Sequence, residues 1–170
     1  MILPDVNVLL YAFRSDAQGH DSHREWLQSV VNGPAAYGMS PQVLGSVVRI
    51  ATHPRVFARP SRLEQAIAFS TALLDQPHCQ VVQPGARHWG IFCDLCRHAH
   101  ASGNLVQDAW LAALAIESGC ELITSDRGFG GFPGHRWRHP LGAAPSYSRI
   151  AVPTRASKCR FMARAAWRPA

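Results

Sequence analysis

The sequence has almost no lysine: Lys158 is the only one among 17 basic residues. It has no apolar run near the roughly 20 residues that a membrane-crossing helix needs, so no transmembrane helix is expected. Its first residues, Met1-Ile2-Leu3-Pro4-Asp5, lack the basic start and long apolar stretch of a secretory signal. Cysteine is sparse and odd in number, at Cys79, Cys93, Cys96, Cys120 and Cys159. The spacing gives no disulfide framework, so the expected compartment is a reducing cytoplasm. Acid is absent from the last 22 residues, which carry Arg149, Arg155, Lys158, Arg160, Arg164 and Arg168. Residues 1–148 hold eleven basic and eleven acidic side chains, which cancel. The net charge of +6 therefore belongs to the end of the chain. Such a segment binds phosphate backbones or is a solvated, frayed end, and no periodicity decides between them. The basic balance thus says little about nucleic-acid binding by the rest of the molecule.

A length of 170 residues suits one domain, and 47% apolar residues are enough to fill a core. Ile2 to Val6 is a short apolar run that ends at an acid, and Pro4 keeps it from being a long central strand. Val8 to Phe13 and His20 to Val31 are expected helices, the second with Trp26, Leu27, Val30 and Val31 as its buried stripe. Ala35 to Met39 is an expected strand. Ser40 and Pro41 open a helix as N-cap and first helical residue, and it runs to Thr52. Ser61, with Glu64 three residues on, caps a helix to Leu74. Cys79 to Val82 is a strand, and Gly85 to Ala101 a helix. Asn104 caps a helix from Leu105 that Gly119 ends. Glu121 to Thr124 is a buried strand, Asp126 to Gly134 a glycine-rich loop, and Trp137 to Leu141 a final edge strand. Helices alternating with short apolar strands predict an α/β sandwich around a mostly parallel sheet. The composition changes near Gly142, which predicts a domain over 1–141 and a basic tail over 142–170.

Three acids stand out by position. Functional residues of open parallel sheets gather beyond the carboxyl ends of the strands. Asp5 ends the first strand, and Asp126 follows the strand Glu121–Thr124. Asp108 sits in the first turn of the helix capped by Asn104, where the helix dipole favours a carboxylate. Singly, each has an ordinary explanation as a turn former or dipole partner. Together, clustered carboxylates repel unless a cation neutralises them, and hard oxygen donors suit Mg²⁺ or Mn²⁺. A cation of that kind activates water and stabilises charge on a phosphate, the chemistry of a nuclease. Asn7 is placed to orient a ligand or water.

Other chemistries fit less well. Cys93, Cys96, His98 and His100 share one helix, but no second Cys/His pair stands elsewhere at zinc-finger spacing. Asp5 also suits an aspartyl-phosphate phosphatase, yet such enzymes want a lysine, and the only one is in the tail. Arg14, Arg49, Arg55, Arg127, Arg136 and Arg138 are candidates for holding an RNA backbone, each against the plainer reading of a surface charge. Trp89, Trp110 and Trp137 are candidates for stacking on bases, or else core.

The segment Leu3-Pro4-Asp5-Val6-Asn7-Val8-Leu9-Leu10-Tyr11 resembles the opening of PIN-domain toxins of the VapC type. Arg49-Ile50-Ala51-Thr52-His53-Pro54-Arg55-Val56-Phe57 is similar to a signature of the mycobacterial-type branch. The same holds for Gly103-Asn104-Leu105-Val106 with Asp108-Ala109, for Thr124-Ser125-Asp126-Arg127-Gly128-Phe129, and for Phe132-Pro133-Gly134-His135-Arg136-Trp137. The resemblance covers residues 1–141. It implies a PIN-like three-layer α/β/α sandwich and an endoribonuclease that cleaves tRNA or rRNA with Mg²⁺. Water held by the metal would attack a phosphodiester and leave a 3′-hydroxyl and a 5′-phosphate. The resemblance also implies a VapB-type antitoxin partner and a homodimer. By position, Asp5 and Asp108 match the principal metal-binding acids, and Asp126 the later acid that completes the site. One departure stands out. Many PIN nucleases carry a Glu in the helix after the second strand, whereas here Gly45 or Ser46 holds that place. An inactive PIN module that binds antitoxin or RNA without cutting is therefore the alternative.

Overall fold

The computed structural model describes residues 1–142. The segment expected as a basic tail lies outside the described residues apart from Gly142. The elements are β1 (Ile2–Pro4), α1 (Val6–Phe13), α2 (His20–Val31), β2 (Tyr37–Met39), α3 (Pro41–Ala51), α4 (Leu63–Leu74), β3 (Cys79–Val81), α5 (His88–His98), α6 (Asn104–Ser118), β4 (Glu121–Ile123), a 3-10 turn (Arg127–Gly131) and β5 (Arg136–Arg138).

The strands form one sheet in the order β3-β2-β1-β4-β5, with every neighbouring pair parallel. β1 is central despite Pro4, because it is only three residues long and the proline is its last. The chain winds outward from β1 to β2 to β3, then jumps back across to β4 and on to β5. Right-handed crossovers therefore put α1 to α4 on one face and α5 with α6 on the other. The packing agrees: α1 lies against α2 and α3, α3 against α4, and α5 against α6. The reversal between β1 and β4 is a topological switch point, the place where open parallel sheets leave a crevice at their carboxyl edge.

The core is built from the strand interiors Leu3, Tyr37, Met39, Leu122 and Ile123, and from helix faces laid on them. α6 is sealed over five consecutive residues, Leu111 to Ala115, and its alanines allow close approach to its neighbours. Tyr37 lies wholly inside and donates its hydroxyl to the Leu73 carbonyl at 2.7 Å. Gly38 in β2 has no room for a side chain, since a Cβ there would stand 2.7 Å from Val82 Cγ2.

Several local expectations shift by a few residues. Ser61 does not cap α4, because its hydroxyl accepts from Arg14 Nη1 at 2.9 Å. The helix starts instead at Leu63, where Gln65 Oε1 accepts from the Arg62 N–H. α5 begins at His88 rather than Gly85, because Glu117 holds the N–H groups of Gly85 and Arg87 at 2.7 and 2.8 Å in a loop. Asn104 is the first residue of α6 rather than its cap; Gly103, with φ +55°, makes the turn into the helix. Asp108 consequently lies in the second turn, where the helix dipole has largely faded. In α2 the sealed residues are His23 and Leu27, while Trp26, Val30 and Val31 are only partly covered.

Candidate functional site

The β1/β4 register sets the site. Leu3 faces Leu122, Pro4 faces Ile123, and the Asp5 N–H continues the ladder to the Ile123 carbonyl at 2.8 Å. Asp5 and Thr124 therefore leave the sheet side by side. Asp5 is also the N-cap of α1: its Oδ1 accepts from the Val6 N–H at 2.6 Å. Its Oδ2 accepts from Thr124 Oγ1 at 2.8 Å and from Asn7 Nδ2 at 2.7 Å.

Thr124, fully buried, is the hub of this network. Its hydroxyl donates to Asp5 and accepts from the Asp126 N–H at 3.0 Å and from Asn7 Nδ2 at 3.0 Å. Asn7 Oδ1 in turn accepts from the Ser125 N–H at 3.2 Å. Asp126 caps the 3-10 turn, with Oδ1 accepting from the Gly128 N–H at 2.7 Å. His23 packs behind: Nδ1 lies 2.8 Å from the Gly19 carbonyl and Nε2 3.2 Å from Ser125 Oγ. Thr124 and His23 were not singled out from the sequence as site residues. A threonine ending an apolar run reads as an ordinary strand former, and a lone histidine on an amphipathic helix carries no signal of its target.

Asp5, Asp108 and Asp126 all border one cleft of about 600 Å³ between α1, α3 and α6. Burial pushes the Asp5 carboxyl up to about 6, against the pull of its Thr124 and Val6 hydrogen bonds; the charges of Asp108 and Asp126 push the same way as burial. Asp108 is raised too, by burial and then by the charge of Asp126. Mutual repulsion of this kind marks a site that favours a cation. Among the described residues no group of three or more His, Cys, Asp or Glu side chains stands close enough to hold a metal ion by itself. The trio instead lines one cleft, near enough for the charges of Asp108 and Asp126 to act on Asp5. The donors are hard oxygens without thiolate or imidazole, so the residues fit a cation of the Mg²⁺ class.

On the α3 wall, Gln42, Ser46 and Arg49 line the cleft, and a Cβ at Gly45 would meet only open space. Ser46 turns its hydroxyl back to the Gln42 carbonyl at 2.9 Å. Of the other arginines, Arg14 is buried and committed to internal contacts. Arg136 donates to the Gly119 carbonyl and Arg138 pairs with Glu121. Trp110 lies half-buried at the cleft against His88, whereas Trp89 is 70% exposed on α5, away from it.

Thr124→Val keeps the shape of the side chain and removes its hydroxyl. The Asp5 carboxyl then loses a donor that holds its titration down. In the cation-free protein its titration, followed by ¹³C NMR, is expected above 6. A midpoint left in place contradicts the hub role assigned to Thr124.

Comparison with known proteins gives the family and the fold. A family model described as PIN domain matches residues 2–133. Ribonuclease VapC43 of Mycobacterium tuberculosis is 40% identical over 141 residues, covering 83% of this chain and 96% of that protein. Ribonuclease VapC31 of the same species is 38% identical over 140 residues, covering 82% of this chain and 99% of that protein. Among solved structures, VapBC2 from Rickettsia felis, bound to a DNA fragment from their promoter, superposes with a TM-score of 0.61 at 18% identity, over 82% of this chain and 98% of that chain.

Proposed function

This chain belongs to the PIN-domain family, in its VapC ribonuclease branch, and on that footing we propose that it is a divalent-cation-dependent endoribonuclease, the toxin of a toxin–antitoxin pair. The observation that carries the reading is the β1/β4 register, which brings Asp5 and Asp126 to one crevice that Asp108 also borders. Asp5, Asp108 and Asp126 hold the cation, with Mg²⁺ the expected ion and Mn²⁺ an expected substitute. A bound divalent cation supplies an activated water and neutralises charge developing on the phosphate. The protein's own part is positional. Thr124 and Asn7 fix the Asp5 carboxylate in one orientation, and the Gly128 N–H does the same for Asp126. RNA is cut to a 3′-hydroxyl and a 5′-phosphate, with tRNA or rRNA as the target class. A VapB-type antitoxin is the partner and the chain pairs with a second copy of itself. Among the described residues no helix is long and apolar enough to cross a membrane.

A second reading rests on the α3 wall, which has no acid at Gly45 or Ser46. Here the chain binds antitoxin or RNA without cutting. Total RNA incubated with the purified protein separates the two. The nuclease reading expects fragments with Mg²⁺, none with EDTA, and recovery when Mg²⁺ or Mn²⁺ is restored. Intact RNA under all conditions favours the binding module. Cutting that ignores EDTA refutes the cation-dependent mechanism.

A further inference from the structure

Among the described residues Arg49 is the one basic side chain that lines the cleft, and the three carboxylates line it too. Yet its guanidinium forms no ion pair and no hydrogen bond with any described residue. A cation beside three acids ordinarily pairs with one of them. Here the walls keep them apart: Arg49 stands on α3, while the acids stand on α6 and at the ends of β1 and β4. Gln42, Ser46 and Arg49 fall at i, i+4 and i+7, one face of α3, and Arg49 lies about 10 Å along the helix from Gln42. Among the described residues no acid on that face of α3 neutralises it; Ser46, one turn before, is uncharged and bonded to its own helix. The α3 wall therefore offers an exposed guanidinium fork, unpaired among the described residues, to whatever enters between the walls. A fork of five N–H donors matches a phosphate in shape and charge.

We propose that Arg49 is a substrate-binding residue that clamps a backbone phosphate of the RNA, adjacent to the one held at the three carboxylates. The assignment rests on the nuclease reading for its substrate. It makes α3 the wall that sets how a strand lies in the cleft: one phosphate goes to the acidic side through the cation, and a neighbour goes to Arg49.

The test measures binding, so that it does not depend on cutting. A fluorescein-labelled single-stranded oligoribonucleotide is titrated against the full chain carrying Asp5→Asn, at fixed Mg²⁺, over a series of KCl concentrations. The same is done with Arg49→Gln added. Loss of one phosphate contact lowers the slope of log K against log salt by roughly 0.7 for a single strand. That decrease is expected for Arg49→Gln and absent for Arg49→Lys, which keeps the point charge. Arg24→Gln, on the exposed face of α2, is the control and leaves the slope in place. Residues beyond 142 are common to every variant and cancel in the comparison. An Arg49→Gln slope equal to that of its parent overturns the proposal, whether or not the wild-type chain cuts RNA. Absence of cutting by the wild type refutes the nuclease reading and leaves the Arg49 measurement intact.

Discussion

Asp5→Asn is expected to abolish RNA cleavage, by at least a hundredfold, while leaving the protein folded. Loss of a charged group that orders the reacting centre costs on the order of several kcal/mol in transition-state binding. Asparagine still caps α1 through its side-chain oxygen, so the helix start survives. Stability then reports on the same charge. The folded carboxyl titrates near 6, against 3.8 for the ordinary group. Below 3.8 it is neutral in both states and carries no penalty. Between 3.8 and 6 the folded state holds the proton and the unfolded state does not, so stability falls as pH rises. Above 6 the full penalty of the buried charge applies, about 3 kcal/mol at most. The difference in unfolding free energy between wild type and Asp5→Asn, measured in EDTA from pH 4 to 7, is therefore expected to move in favour of the variant as pH rises. The difference also removes the opposite contribution of buried His135, whose titration is pushed down by burial. The variant gives up part of the gain, because its amide N–H₂ faces the donors on Asn7 and Thr124. A pH-independent difference means Asp5 is not a strained buried charge.

Arg14→Ala is expected to cost about 3 kcal/mol of stability and to loosen the segment 53–62. Arg14 is 7% exposed and lies at the C-cap of α1. Its guanidinium donates to Asp16 at 2.8 and 2.5 Å, to Ser61 Oγ at 2.9 Å and to the Arg59 carbonyl at 3.0 Å, and it lies 3.7 Å over the Phe57 ring. One side chain thus ties three points of a loop with no regular structure to the end of α1. Truncation leaves the Arg59 carbonyl and Ser61 hydroxyl without their donor and opens a gap beside Phe57. Lysine does not rescue it, since a single ammonium cannot reproduce the fork. The loop carries Val56, which lines the cleft, and exposed Arg55 and Arg59. Limited trypsin digestion is accordingly expected to cut at Arg55 or Arg62, both exposed, in the variant well before it does in the parent; the Arg59–Pro60 bond resists trypsin in either. Equal resistance removes Arg14 from its role as the loop's anchor. From sequence alone the same residue ranked among candidates for RNA contact, because a charge in a chain carries no mark of the partners folding gives it.

Some of the site was legible because it depends on local pattern. Asp5 after an apolar run and Asp126 after another are positions that parallel sheets use, whatever the details of packing. Asp108 was legible mainly through the family resemblance; its helical position was misjudged by one residue, since Gly103 rather than Asn104 makes the entry to α6. Thr124, His23 and the unpaired state of Arg49 were not legible. Each is defined by a group 102 or 119 positions away or on another wall, and a one-dimensional pattern does not encode those distances.

The order of residues by itself determined the alternation of helices and short strands, the parallel sheet, the family, and the carboxylates at the strand ends. These follow from apolar periodicity, turn chemistry and motif order, all properties of neighbours along the chain. Tertiary structure alone decided that β1 is central and pairs with β4 in a register that sets Asp5 beside Thr124. It also decided that Arg14 is buried while Arg49 faces the cleft. The physical reason is that charge acquires meaning from burial and from what stands within a few ångströms. Both arise only when distant segments pack against one another.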